Sequence, residues 1–207
     1  MHRIAKLPAA FKRFAKIGGV VGFAVFEGSE GSDEEAVEAI GSAIPKRATF
    51  NVDKLREIVG RVIRERKFFG DWFDPDTGAL IKVGNWRTEK GEQLHNPKLK
   101  ALEKVRIVGG GFSPPDPGSG GQFAYAFTTP PYSLRARPAE VQQLFDEVRD
   151  FIMPAGLSSE IMDWSSPRLR EVSNCFVPGM EWWGVFLFTI HVPDLRRLTV
   201  AIASTTD

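Results

Sequence analysis

The chain has 207 residues, of which 43% are hydrophobic and 26% charged, enough to bury the core of one domain plus an extension. Its formal net charge of +1 argues against a dedicated nucleic-acid binder, and its single cysteine, Cys175, excludes an internal disulfide framework and fits a reducing compartment. From the reducing compartment we expect a cytoplasmic protein. Three widely spaced histidines give no metal-ligand spacing, so we expect neither a metal nor a cofactor.

The first 47 residues differ in composition from the rest. We predict an N-terminal helical extension at 1–47 and a single α+β domain at 48–207. A basic beginning precedes the apolar run Ile17–Phe26, as in a signal peptide, but no small-residue cleavage pattern follows. The run is also much shorter than the ~20 residues that span a bilayer, so no transmembrane segment is expected. Residues 1–26 are predicted to be amphipathic, lying on a membrane surface, on a partner or packed as a helix.

An acidic helix is predicted from Asp33 to Ile44. Ser32 and Glu35 have the spacing of a capping box at its start, and Pro45 ends it. Because the preceding segment is basic, the two halves can pair as a helical hairpin across Gly18–Gly22. The alternative is a simple extension packed on the main body.

Periodicity predicts one more helix and a hairpin in the next third. Apolar residues at helical spacing predict a helix that is capped by Asn51 and runs through Lys67, with Val59 and Val62 on its buried face. A turn sequence with proline and glycine predicts a β-hairpin over Asp71–Val83. The residues that follow, Gly84–Asn96, are predicted to be a polar connection.

The following elements are predicted from shorter patterns. The stretch Gly109–Gly121 lacks the GK[ST] motif of a phosphate cradle and is predicted to be a surface loop. Alternating aromatic and small residues predict a strand at Gln122–Thr128. A third helix begins at Pro138 and buries apolar residues through Ile152. Two more short strands are predicted at Ile161–Trp164 and Leu169–Val177.

The C-terminal residues predict the centre of the fold. Trp182–Val192 and Leu198–Ser204 are rich in aromatic and β-branched residues and are joined by the turn sequence Pro193–Arg197. The first arm is apolar on both faces over most of its length, which is typical of a strand covered on both sides. We expect an α+β fold, with an antiparallel or mixed sheet, the C-terminal β-hairpin as its central strands, and about three to four helices packed on it.

One catalytic possibility is covalent. Cys175 and His191 would form a Cys–His pair if their strands were neighbours. Cys175, however, stands in an apolar context, where cysteine is usually an inert small hydrophobe. A histidine near a strand end is likewise more often structural.

A second possibility uses carboxylates. Asp163 and Glu181 stand beside tryptophans, and Asp207 ends the printed chain. Paired acids next to aromatic rings are typical of a glycosidase site. Asp163 and Glu181, together with His191 and Tyr132, give a candidate hydrolase-like site. The alternative is that these acids cap turns and begin a strand.

The aromatic residues point instead to binding. The tryptophans and tyrosines are Trp72, Trp86, Trp164, Trp182, Trp183, Tyr125 and Tyr132. Several such rings near loops often mark an interface, although plain packing explains them equally well. Trp86 and Trp164 have polar neighbours and are predicted to be exposed anchors. The predicted binding surface adds Trp72, Tyr132 and the charges of Arg87 and Arg135.

From about Phe50 onward the chain resembles a group of small bacterial proteins. The resemblance is carried by Asp71-Trp72-Phe73, Asn85-Trp86, Tyr125-Ala126-Phe127, Glu181-Trp182-Trp183-Gly184 and the ending Ala203-Ser204-Thr205-Thr206-Asp207. These phrases carry no mechanism, so the resemblance assigns no catalytic residue. The glycine-containing leader is similar to segments that precede the C-terminal domains of secreted bacterial polymorphic toxins. Together these resemblances imply a toxin–immunity system.

The hypothesis from the sequence is a non-catalytic, protein-binding domain of the immunity or inhibitor kind, whose partner is another protein. The alternative is an enzymatic toxin effector with a hydrolase-like site near Asp163, Glu181 and His191. A third interpretation, nucleic-acid contact through the basic face of Lys54–Lys67, is disfavoured because Glu57 and Glu65 are interleaved with the cations, as is typical of a solvated helix face with i,i+4 ion pairs.

Overall fold

The computed structural model describes residues 1–206. Within that range the strands are β1 (His2–Arg3), β2 (Gly22–Glu27), β3 (Arg61–Ile63), β4 (Phe73–Asp74), β5 (Ala79–Leu80), β6 (Asn85–Thr88), β7 (Gln93–His95), β8 (Ile107–Gly111), β9 (Glu160–Asp163), β10 (Val185–Val192) and β11 (Arg197–Ser204). The α-helices are α1 (Ala9–Lys16), α2 (Asp33–Ala43), α3 (Val52–Glu57), α4 (Glu65–Phe69), α5 (Phe123–Thr128), α6 (Pro138–Ile152) and α7 (Leu169–Val172).

A six-stranded antiparallel sheet organises the fold, with strand order β1-β2-β11-β10-β9-β3. Every residue of β10 is buried, as its apolar character on both faces predicts. Its hairpin partner β11 pairs with it from Val192 opposite Arg197 to Val185 opposite Ser204. The predicted α+β fold, with the C-terminal hairpin at the centre of the sheet, is confirmed.

Helices cover both faces of this sheet. On one face Phe186, Phe188 and Ile190 of β10 pack with α1, α4, α5 and α6, forming what we call the first core. On the other face Val185 and Leu187 pack with α2, α3 and α7, forming the second core. The helix α6 matches its predicted bounds, because a fifteen-residue apolar periodicity leaves little ambiguity.

The N-terminal segment is part of the sheet and not a helical hairpin. Gly22–Glu27, predicted within an amphipathic segment, is strand β2 and pairs with β11 over six residues. Its residues Ala24 and Phe26 belong to the second core. Phe23, Val25 and Phe26 favour extended structure, and the neighbouring strand satisfies their backbone groups. The predicted capping box of Ser32 and Glu35 is present at the start of α2.

The predicted helix from Asn51 to Lys67 is wrong beyond its first turns. Asn51 caps α3 as expected, but α3 ends at Glu57 and β3 follows. Gly60 interrupts the helical pattern, and a side chain there would overlap Met162 and Trp164. The β-branched residues after Gly60 are compatible with a strand as well as with a helix, and pairing with β9 stabilises the strand.

Two predicted strands are helices. Of the strand predicted at 122–128, residues 123–128 form α5. Residues 123–127 are all buried, so the alternation of aromatic and small residues reflects close packing around a helix and not a strand. Residues 169–177 form α7 and a 3₁₀ turn. The strand predicted at Ile161–Trp164 is present as β9.

The middle of the chain forms two small antiparallel sheets. β4 and β5 are the hairpin predicted over Asp71–Val83. The supposed polar connection after it is a second hairpin, β6 and β7, and β8 joins its other side. The predicted surface loop therefore begins in a strand. Gly110 passes so close to β6 that a side chain would overlap the Asn85 carbonyl, which explains the glycine.

Candidate functional site

The buried carboxylate of Asp163 accepts hydrogen bonds from three donors of the protein and is not free for catalysis. Its side chain is 1% exposed on β9. One carboxylate oxygen accepts hydrogen bonds from the Gly121 backbone N–H (2.9 Å) and from the Arg61 guanidinium (3.3 Å). The other accepts from the Ser165 backbone N–H at 2.9 Å. A buried carboxylate with three donors is well satisfied and ties β3, β9 and the start of α5 to one another.

His191 lies on the opposite face of the sheet from Asp163. Asp163 is paired with Phe188 and shares its face, whereas His191 packs against Gly31 beside α2. The imidazole Nε2 lies 3.4 Å from the Ser29 carbonyl, and Nδ1 lies 3.6 Å from the carboxylate of Glu160. The sheet therefore separates two of the groups in the predicted hydrolase-like site.

Glu181 and Tyr132 also lie apart from these groups. Glu181 is exposed before β10 and accepts a hydrogen bond from Thr206, at the end of the hairpin opposite to His191. Six residues of strand separate Val185 from His191, which corresponds to about 20 Å. Tyr132 is 69% exposed in the segment between α5 and α6. Asp207, the remaining acid, lies outside the described residues.

Cys175 does not meet His191. It lies in a 3₁₀ turn against the second core, and its thiol accepts a hydrogen bond from the Ser173 hydroxyl at 3.1 Å. Burial raises the pKa of this thiol, and the hydrogen bond from Ser173 only partly offsets the rise. A thiol with a raised pKa is a poor nucleophile, so the environment favours the structural interpretation.

The predicted anchor Trp164 and the predicted binding residue Trp72 are both core residues. Trp164 is 4% exposed, and its indole N–H donates to the Thr189 hydroxyl at 3.0 Å in the second core. Trp72 is equally buried, against Tyr125 in the first core. The polar neighbours Asp163 and Ser165, which predicted exposure of Trp164, are themselves buried. The Ser165 backbone N–H donates to the Asp163 carboxylate, and the Ser165 hydroxyl accepts from the Leu187 backbone N–H.

The remaining predicted binding residues lie on two separate elements. Trp86 on β6 is half-buried, with the Lys82 ammonium 4.0 Å from its ring centre and its N–H shared between the carbonyls of Lys82 and Val83. Burial lowers the pKa of Lys82. Arg87, next to Trp86, is exposed, and Arg135 is exposed near Tyr132 between α5 and α6.

The feature that the sequence did not predict is the outer edge of β3. Val59 and Val62 are 82% and 80% exposed, the two most exposed large hydrophobic side chains among residues 1–206. Val59 lies just before β3, and Val62 lies at its centre. We call Val59 to Ile63 the β3 edge. The signal for it was present in the run Ile58–Ile63, where β-branched residues flank a glycine.

An open cleft of about 1080 Å³ continues from the β3 edge. One wall carries three exposed cations of α4 and its N-cap, Arg64, Arg66 and Lys67. The other wall carries acids, of which Asp74 is held by the Thr77 hydroxyl and by Lys98. The β3 edge and this cleft together form a surface that joins exposed aliphatic side chains to three cations that form no ion pair among residues 1–206.

Comparisons with protein-family models, with curated proteins and with solved structures gave no significant match to this chain. The resemblance to a toxin–immunity group therefore stays a prediction. Among residues 1–206, no helix has both the length and the apolar character that crossing a bilayer requires. The same residues contain no group of three or more histidine, cysteine or acidic side chains placed to hold a metal ion.

Proposed function

We propose that the chain is a cytoplasmic, non-catalytic protein-binding domain of the immunity or inhibitor kind. The observation that carries the binding role is the β3 edge, where two valines lie in solvent at the side of a sheet. Isolated exposed aliphatic side chains are common. An uncovered edge strand with exposed aliphatic side chains can pair with another chain, and proteins usually prevent this with charged residues, proline or a bulge. The toxin–immunity setting is supported by the resemblance alone.

The proposed binding surface is the β3 edge and not the tryptophans that the sequence predicted. Trp72 and Trp164 are unavailable to a partner because they are buried. The hydrolase-like alternative gains no support, since Asp163 and His191 face opposite sides of the sheet and Glu181 lies at its far end.

The test is affinity capture with matched variants. Purified wild-type protein, a Val59→Ser/Val62→Ser variant and a Val108→Ser control are used as bait in a bacterial lysate, and bound proteins are quantified by mass spectrometry. Val108 is also an exposed valine, 50% exposed on β8. We expect one stoichiometric partner on the wild type and on the control, and its loss from the double variant. Equal capture by all three baits, or no partner at all, would contradict the proposal.

A further inference from the structure

The outer side of β3 has the geometry of a site for one more strand. β3 is the last strand of the sheet, and no other segment of residues 1–206 pairs with it beyond β9. In an antiparallel sheet, half of the N–H and C=O groups of an edge strand point away from its neighbour. An extended segment from another molecule would find those groups ready to pair.

This edge is held in place more firmly than its length suggests. The Arg61 guanidinium donates to the buried Asp163 carboxylate and, at 3.0 Å, to the Ser165 carbonyl. Ile63, two residues on, packs against the first core. A strand that is already ordered lowers the entropic cost of binding, because less of the chain must be fixed on association.

The charge beside the edge selects the chemistry of the partner. Arg64, Arg66 and Lys67 form no ion pair with any of residues 1–206, although all three are exposed in the cleft. The opposite wall carries Asp71, Asp74 and Asp76, of which Asp74 is paired with Lys98, so three free cations face two free carboxylates and the cleft keeps an excess of positive charge. An acidic segment would neutralise the free cations, whereas a second copy of this chain would bring the same cations against them.

We propose that the β3 edge binds an extended acidic segment of another protein as a seventh strand. A β-branched side chain of that segment would cover Val62 at the centre of β3, a second would contact Val59 just before the strand, and acidic side chains would contact Arg64, Arg66 and Lys67. The inference rests on the proposed protein-binding function and adds the mode of binding and the chemistry of the partner.

The experiment uses a displayed library of short random peptides selected on the full chain. We expect selected peptides to be enriched in β-branched and in acidic residues. Their affinity should fall about tenfold or more with Val59→Ser/Val62→Ser and with Arg64→Glu/Lys67→Glu, and stay unchanged with Val108→Ser. Peptide binding should slow amide hydrogen exchange in β3. Thermal unfolding of each variant checks that the fold is intact.

Other outcomes overturn the inference. No enriched peptide, equal binding to all variants, or protection outside β3 would each refute strand addition. A concentration-dependent dimer that Val62→Lys abolishes would assign the edge to a second copy, and tight binding of a single-stranded oligonucleotide would assign the cations to nucleic acid. If lysate capture depends on Val59 and Val62 but the β3 amides stay unprotected, the inference fails and the proposed function stands. If capture ignores those valines, the proposed function itself fails.

Discussion

Replacing Trp164 with alanine separates its two possible roles, because a core residue stabilises the fold and a surface anchor does not. The structure places the ring in the second core at 4% exposure, with its N–H bonded to Thr189. Truncating a buried tryptophan costs about 3–5 kcal/mol of the free energy of unfolding, and a Thr189 hydroxyl left without its partner adds about 1 kcal/mol. We therefore expect a loss of about 4–6 kcal/mol of the free energy of unfolding.

That loss is large against the about 5–15 kcal/mol that stabilises a typical domain. For a chain of this length, each 1 kcal/mol lowers the melting temperature by about 2–4 °C, so Trp164→Ala should melt about 8–24 °C below the wild type. Urea unfolding followed by far-ultraviolet circular dichroism gives the free energy, without depending on tryptophan fluorescence. Trp86→Ala is the control, since this half-buried ring lies on a small peripheral sheet and should cost less than about 2 kcal/mol.

The hydrogen bond can be measured separately. Trp164→Phe removes the donor and Thr189→Val removes the acceptor, and the double variant completes the cycle. We expect a coupling energy of about 1 kcal/mol between the two positions. If Trp164→Ala unfolds like the Trp86→Ala control and instead loses a partner, the ring is accessible and the reasoning from burial is refuted.

Two other substitutions test the buried and the charged contacts. Asp163→Asn should lower the free energy of unfolding by about 2–3 kcal/mol, because an amide accepts weaker hydrogen bonds from Arg61 and Gly121 than a carboxylate does. The substitution should also speed amide hydrogen exchange in β3, and unchanged exchange would contradict this. For Glu35, burial alone raises the pKa, but hydrogen bonds from the Ser29 hydroxyl and nearby backbone N–H groups outweigh it and lower the pKa below 4.5. Glu35→Gln should therefore be less stable than the wild type at neutral pH, and this difference should vanish as the pH falls through the folded-state pKa, measured by urea unfolding across pH; a constant difference would contradict it.

Long patterns were read correctly from the sequence because they leave one interpretation. The helix α6 shows apolar residues at helical spacing over four turns, and β10 has no alternation that could place one face in water. The hairpin turn between β4 and β5 and the cap of α2 are local, since their residues interact with near neighbours. Such features depend little on the rest of the chain.

Short patterns failed where distant contacts decide the structure. Val62 and Ile63 fit a helix face and a strand equally, and pairing with β9, about one hundred residues away, selects the strand. α5 is six residues long and owes its conformation to rings packed around it, such as Phe68 and Phe145. Polar neighbours misled the prediction for Trp164, because Asp163 and Ser165 are polar residues that hydrogen-bond inside the protein.

The two edges of the main sheet show why the exposed valines bear on function more than on folding. At one edge β1 presents His2 and Arg3, polar residues that suit a strand facing water. At the other edge Val59 and Val62 face water. Because these side chains contribute almost no buried surface, polar residues in their place would leave the cores intact. Their substitution by serine should therefore change the free energy of unfolding by less than about 0.5 kcal/mol. An effect of these variants on binding would then report the surface itself.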